Sequence, residues 1–110
     1  MGEITYSLSY LPMFFNDLED HVRYISDVLQ NKTAANDLLD AVEAAILKRL
    51  PDAESFEPYH SIREHLYPYY RIYVKNYTIY YVVIPDVDGN KKIMEIRRIL
   101  HNLQNRDDYL

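Results

Sequence analysis

Apolar and polar positions change period several times along the chain, and each change marks an element. In "EITYSLSYL", Ile4, Tyr6, Leu8 and Tyr10 alternate with Thr5, Ser7 and Ser9, the period of two expected of a half-buried strand. The period then lengthens. Leu18, Val22, Ile25 and Leu29 recur every three or four residues while Asp17, Glu19, Asp20, Arg23 and Asp27 fall on other faces, which predicts an amphipathic helix running to about Gln30. Asn16, with Glu19 three residues on, has the spacing of an N-cap and its capping partner. A second helix is predicted from Thr33, its cap, through Leu38, Leu39, Val42, Ala45 and Ile46 to Pro51. The short link makes the pair a helical hairpin.

Residues 51–68 hold three prolines and no sustained period, so a surface loop is expected there, with one short helical turn at Ser61 to Leu66. Alternation then returns. Tyr70, Ile72 and Val74 form an apolar face opposite Arg71, Tyr73 and Lys75; Lys75-Asn76 is a tight turn in which Asn tolerates a left-handed backbone; and "YTIYYVVI" follows as the next strand. Asp88-Gly89-Asn90 signals a hairpin turn before "KKIMEIRRIL", where strict alternation puts Met94, Ile96, Arg98 and Leu100 on one face and Ile93, Glu95, Arg97 and Ile99 on the other. The order strand, two helices, three strands predicts a single α+β domain over residues 1–110. In it a helical hairpin covers one face of a sheet closed by a three-stranded antiparallel meander. The other sheet face is expected to be left to solvent or a partner.

Composition narrows the class. The chain has 110 residues and no cysteine, which removes disulfide frameworks and thiolate zinc sites and is compatible with a reducing cytoplasm. No apolar run approaches a membrane span, and the start has neither a signal peptide nor a lipidation pattern, so a soluble cytoplasmic protein is expected. The net charge of −5 argues against polyanion binding by the chain as a whole, yet the charge is uneven. Residues 1–60 carry four Lys/Arg against eleven Asp/Glu, and residues 61–110 carry eight against six. Any polyanion contact belongs to the second part.

The order of elements, "NDLEDHVRYI", "TAANDLLDAVEAAILKRLP", "YRIYVKNYTIYYVV" and the closing "IRRILHNLQNRDDYL" together resemble the RelE/ParE superfamily of bacterial type II toxin–antitoxin toxins, which includes plasmid stabilisation proteins. The resemblance covers nearly the whole chain. It implies a small toxin neutralised by a cognate antitoxin and expected to act by ribosome-dependent cleavage of messenger RNA, with poisoning of DNA gyrase without enzymatic chemistry as the alternative. A third reading is a degenerate toxin that serves only as an antitoxin-binding module.

For the ribonuclease, a metal-independent mRNA interferase without cofactors, the resemblance points to Arg71, Arg98, His101 and Tyr109 as catalytic candidates and to Lys75, Arg97 and Arg106 as substrate-binding ones. Attack of a 2′-hydroxyl on the neighbouring phosphate needs a base, an acid for the leaving oxygen and cations on the charged phosphorane. His101 is the only titrating residue near neutrality in the tail. Thr78 stands where ribosome-dependent relatives carry an arginine after the tyrosine matching Tyr77.

Other constellations have simpler explanations. His60, His65, Glu57 and Glu64 match no metal-ligand spacing, and "DVDGN" lacks the length and terminal glutamate of a calcium loop. No metal site is expected. Arg71 has Glu95 within reach as a cross-sheet partner, and the tyrosines of "YYRIYVKNYTIYY" suit sheet packing or antitoxin contact better than base stacking.

Overall fold

The computed structural model describes residues 3–60, 66–85 and 90–110. Its elements follow the expected order: β1 (Thr5–Tyr10), α1 (Pro12–Arg23), a π-helical turn (Tyr24–Val28), α2 (Lys32–Arg49), β2 (Tyr70–Val74), β3 (Tyr77–Pro85) and β4 (Lys91–His101). The four strands form one sheet in the order β1-β4-β3-β2. β1 runs parallel to β4, and the other two pairs are antiparallel. The helical crossover between β1 and the meander permits that parallel pairing, which a short turn could not.

Four local expectations are corrected. α1 begins at Pro12, not after Asn16, because proline lacks the N–H that a first helical residue leaves unpaired and its φ is already helical. The regular helix also stops at Arg23, where a π turn closed by Leu29 N–H on Tyr24 O carries the chain to Gln30. α2 is capped by Asn31, whose Oδ1 accepts the Ala34 N–H at 3.0 Å, not by Thr33, which is already inside the helix. At the β2–β3 turn the positive φ falls on Lys75 (53°), not on Asn76. Lys75 pays the Cβ penalty of that region, so Lys75→Gly is expected to raise unfolding stability by up to about 1 kcal/mol in a urea titration.

The main core lies between the hairpin and one sheet face. Phe14, Leu38, Val42 and Ile46 meet Ile79, Tyr81, Met94, Ile96 and Ile99, all nearly or fully excluded from solvent. Each such side chain contributes roughly 1.5–3 kcal/mol by burial. Arg49, at the end of α2, joins the layers: its Nη1 donates to Tyr81 Oη at 2.9 Å and Arg71 O at 3.0 Å, and its guanidinium lies over the Phe56 ring.

The expectation that the opposite sheet face stays open is also corrected. Tyr69, Tyr80, Val82, Leu100 and Leu110 bury a second, smaller core there, with Tyr59, Tyr67 and Ile84 packed against it. The chain before β2 folds back through a Tyr59–Tyr69 bridge, and the C-terminal tail returns to place Leu110 under the sheet. Strict alternation along β4 fails for a related reason. A bulge opposite Tyr80/Tyr81 pairs Tyr81 with Ile96 but Tyr80 with Arg98, so the extra residue flips the face. Met94, Ile96 and Ile99 therefore join the helix-side core, while Leu100 joins the other. The expected turns at Ser61 to Leu66 and Asp88-Gly89 lie largely outside the described residues.

Candidate functional site

Beyond Ile96 the strand β4 loses its neighbour, because β1 ends at Tyr10. Helix α1 takes over that edge with two side chains one turn apart. Asp17 Oδ2 accepts the Ile99 N–H at 3.1 Å, and His21 Nε2–H donates to Ile99 O at 2.7 Å, so one residue's backbone pair is satisfied by an i, i+4 pair on a helix. Asp17 also takes Arg98 in a two-pronged pair, Nε to Oδ2 and Nη2 to Oδ1, both at 2.7 Å. This pair is well shielded, and the hydrogen bonding to Asp17 raises the Arg98 pKa above its ordinary value, against the opposing effect of burial.

Around this clip lies a groove of about 990 Å³, walled by α1, the start of α2, the β2–β3 turn and the tail. It brings together Arg98, His101, Tyr109 and Lys75 of the sequence-derived candidates. Its acidic side comes from Asp17, Asp20 and Asp37, and its apolar surface includes the exposed Met13, Tyr24, Leu29 and Leu103. His101 stands edge-on to Tyr77 with centroids 5.1 Å apart, and Tyr77 in turn lies 4.7 Å from His21. The His101 Nδ1 accepts the Leu103 N–H at 3.1 Å, which leaves the proton of a neutral ring on Nε2. Arg98 also donates to Tyr109 O and lies over the Tyr109 ring.

The other candidates sit on the opposite side of the sheet. Arg71 alternates with the buried Tyr70 and Ile72 and stacks its guanidinium over Tyr59 at 5.0 Å and Tyr73 at 5.9 Å. Arg106 lies over the same Tyr59 ring at 4.2 Å, and Arg97 over Tyr69 at 5.9 Å. The expected Arg71–Glu95 pair is absent, since Glu95 is bound to Arg97 at 2.9 Å within β4. A smaller cleft of about 330 Å³ on this side is lined by Tyr73, Thr78, His101, Asn102 and Arg106. Thr78 is buried there and donates to Asn102 Oδ1 at 2.7 Å. Of the six tyrosines in "YYRIYVKNYTIYY", Tyr73 alone is exposed, so the stretch is chiefly packing.

The chain matches the family of ParE toxins of the type II toxin–antitoxin system parDE over residues 8–106. It belongs to that family. No curated protein matches it. The toxin's family implies an antitoxin as its partner. Among the described residues no helix is long and apolar enough to cross a membrane, and no cluster of His, Asp or Glu could hold a metal. His60 and Glu57 are exposed, and the remaining members of that sequence cluster, His65 and Glu64, lie outside the described residues.

Asp17, His21, Asn102 and Arg49 escaped the sequence reading. For the first two a signal exists in the i, i+4 spacing, but it points only to a shared helix face and not to the strand edge they serve. Arg49 looks like one more solvated cation at a helix end.

Proposed function

We propose that this toxin arrests growth by binding its target and not by cutting RNA, and that the target is DNA gyrase, as the ParE side of the resemblance implies. One observation carries the reading: the groove that gathers Lys75, His101 and Tyr109 holds, among the described residues, one arginine, Arg98, already paired with Asp17, and leaves Arg71 outside. His101 turns toward the helix side with its Nδ1 lone pair engaged by Leu103 N–H, while Arg71 projects from the other face. Arg98, the arginine that shares the groove with His101, is neutralised by Asp17. A phosphorane would have to compete with that carboxylate for the guanidinium, and a base would have to give up a hydrogen bond to act.

The purified toxin is expected to stall supercoiling by gyrase, and transcripts in cells induced without antitoxin are expected to stay intact while growth stops. Unaffected supercoiling at a large excess of toxin overturns the reading. A second reading, ribosome-dependent mRNA cleavage, is favoured by the smaller cleft, which places His101 and Arg106 on one wall system beside Tyr73. New transcript ends mapped on induction choose it. Continued growth on induction leaves the third possibility, an antitoxin-binding module without toxicity.

A further inference from the structure

The sheet has two outer strands, β1 and β2, and they are finished differently. β2 is blunted. Arg49 occupies the Arg71 carbonyl, the Tyr59–Tyr69 bridge overlaps its entry, and the strand carries the charged Arg71. β1, "TYSLSY", has no charge, no proline and no bulge, none of the devices that ordinarily keep an edge from pairing with another chain.

The direction of its backbone groups follows from two bonds. Thr5 N–H donates to Asn90 O and Leu11 N–H to Ile96 O, each at 2.9 Å. Residues of the same parity turn toward β4, so Tyr6, Leu8 and Tyr10 present N–H and C=O outward, and among the described residues no backbone group answers them. Their side chains lie on the helix side with the core, and Thr5, Ser7 and Ser9 lie on the other. Two large apolar side chains flank this edge exposed: Ile4 at its start (48 %) and Phe15 beyond its end (52 %), the latter with its ring 5.2 Å from Tyr10.

We propose that β1 is a dimerisation edge, at which a second copy of this chain pairs antiparallel through Tyr6, Leu8 and Tyr10 about a two-fold axis at Leu8. The strand is complementary to itself in this register. Tyr6 faces Tyr10 of the second copy, Ser7 faces Ser9, and Ile4 approaches the end that carries Phe15, so the exposed apolar groups at opposite ends are brought together. Charge favours the same occupant. The acids that make the chain net −5 are absent from β1, so joining two copies here sets no like charges opposite each other.

The chain lacks cysteine, so introduced thiols report the register directly. In the proposed pairing, Ser7 and the second copy's Ser9 form a non-hydrogen-bonded pair with Cα atoms about 4.5 Å apart, within disulfide range. Ser7 and its own counterpart sit two residues out of register, about 7–8 Å apart, beyond that range. On mild oxidation, S7C mixed with S9C is expected to give a linked dimer, and either variant alone very little. Sedimentation of the parent is expected to move toward twice the monomer mass as concentration rises, and S7K, with an unchanged thermal transition, to remain monomeric. A parent that stays monomeric at millimolar concentration, or cross-linking no greater in the mixture than in the single variants, overturns the proposal.

Discussion

Asp17→Ala is expected to lower the unfolding free energy by about 1–3 kcal/mol, the cost of stranding a shielded but not fully buried arginine and a backbone donor. The carboxylate holds two nitrogens of Arg98 and the backbone N–H of Ile99. Truncation removes the acceptor of all three donors at the wall of the groove between α1 and β4. The Ile99 N–H has no strand to turn to, because β1 stops at the level of Ile96. The measurement is a urea titration: the midpoint should fall with little change in slope. A midpoint within error of the parent would show that the clip does not hold α1 to the sheet. Replacing both partners, Asp17→Leu with Arg98→Met, should recover part of the loss of Asp17→Ala, because the ion pair then no longer leaves one member stranded. The Ile99 N–H remains unsatisfied in that double variant, so recovery should be incomplete.

The same residues show how far the sequence carries. Tyr70, Ile72 and Val74 are buried as their alternation requires, and Leu18 and Val22 of α1 with Ile25 of the π turn pack on the core as their helical spacing requires. Periodicity is legible wherever one face meets one core. It fails where an extra residue enters. Arg97-Arg98 gives no sign of a bulge, since two adjacent arginines fit either face on paper, and only the pairing of Tyr80 and Tyr81 across the strand reveals it. The second small core was hidden for another reason: it is assembled from Tyr59, Tyr69, Leu100 and Leu110, residues from separate segments with no common period.

The candidate site divides along the same line. His101, Arg98 and Tyr109 share the groove, as their closeness in the closing motif suggests, whereas Arg71 belongs to the far face, a consequence of strand parity in β2. What neutralises Arg98 comes from the distant helix α1, and no local pattern announces it.

Alkaline conditions should unfold the protein through its tyrosines. The Tyr6 hydroxyl is pushed from its usual 10.0 up to about 12, first by burial and then by its hydrogen bond to Glu54 Oε1 at 2.9 Å. Tyr10, Tyr70, Tyr77, Tyr80 and Tyr81 are also raised, each chiefly by burial; for Tyr81 the hydrogen bond from Arg49 opposes the rise. A raised value means that the folded state holds the proton more tightly than the unfolded one. The contribution is therefore complete below about pH 10 and is lost as pH climbs from there through the folded values. Tyrosinate absorbance followed against pH should rise steeply above pH 10 in a stage that coincides with loss of circular dichroism. Reversal on rapid return to neutral pH would identify the steep stage as unfolding. Glu54→Gln should bring the Tyr6 ionisation down, because the negative charge that opposes it is gone. A single gradual titration of all twelve tyrosines near pH 10, with the fold intact, would contradict the burial that places these rings between the sheet and its two covering layers.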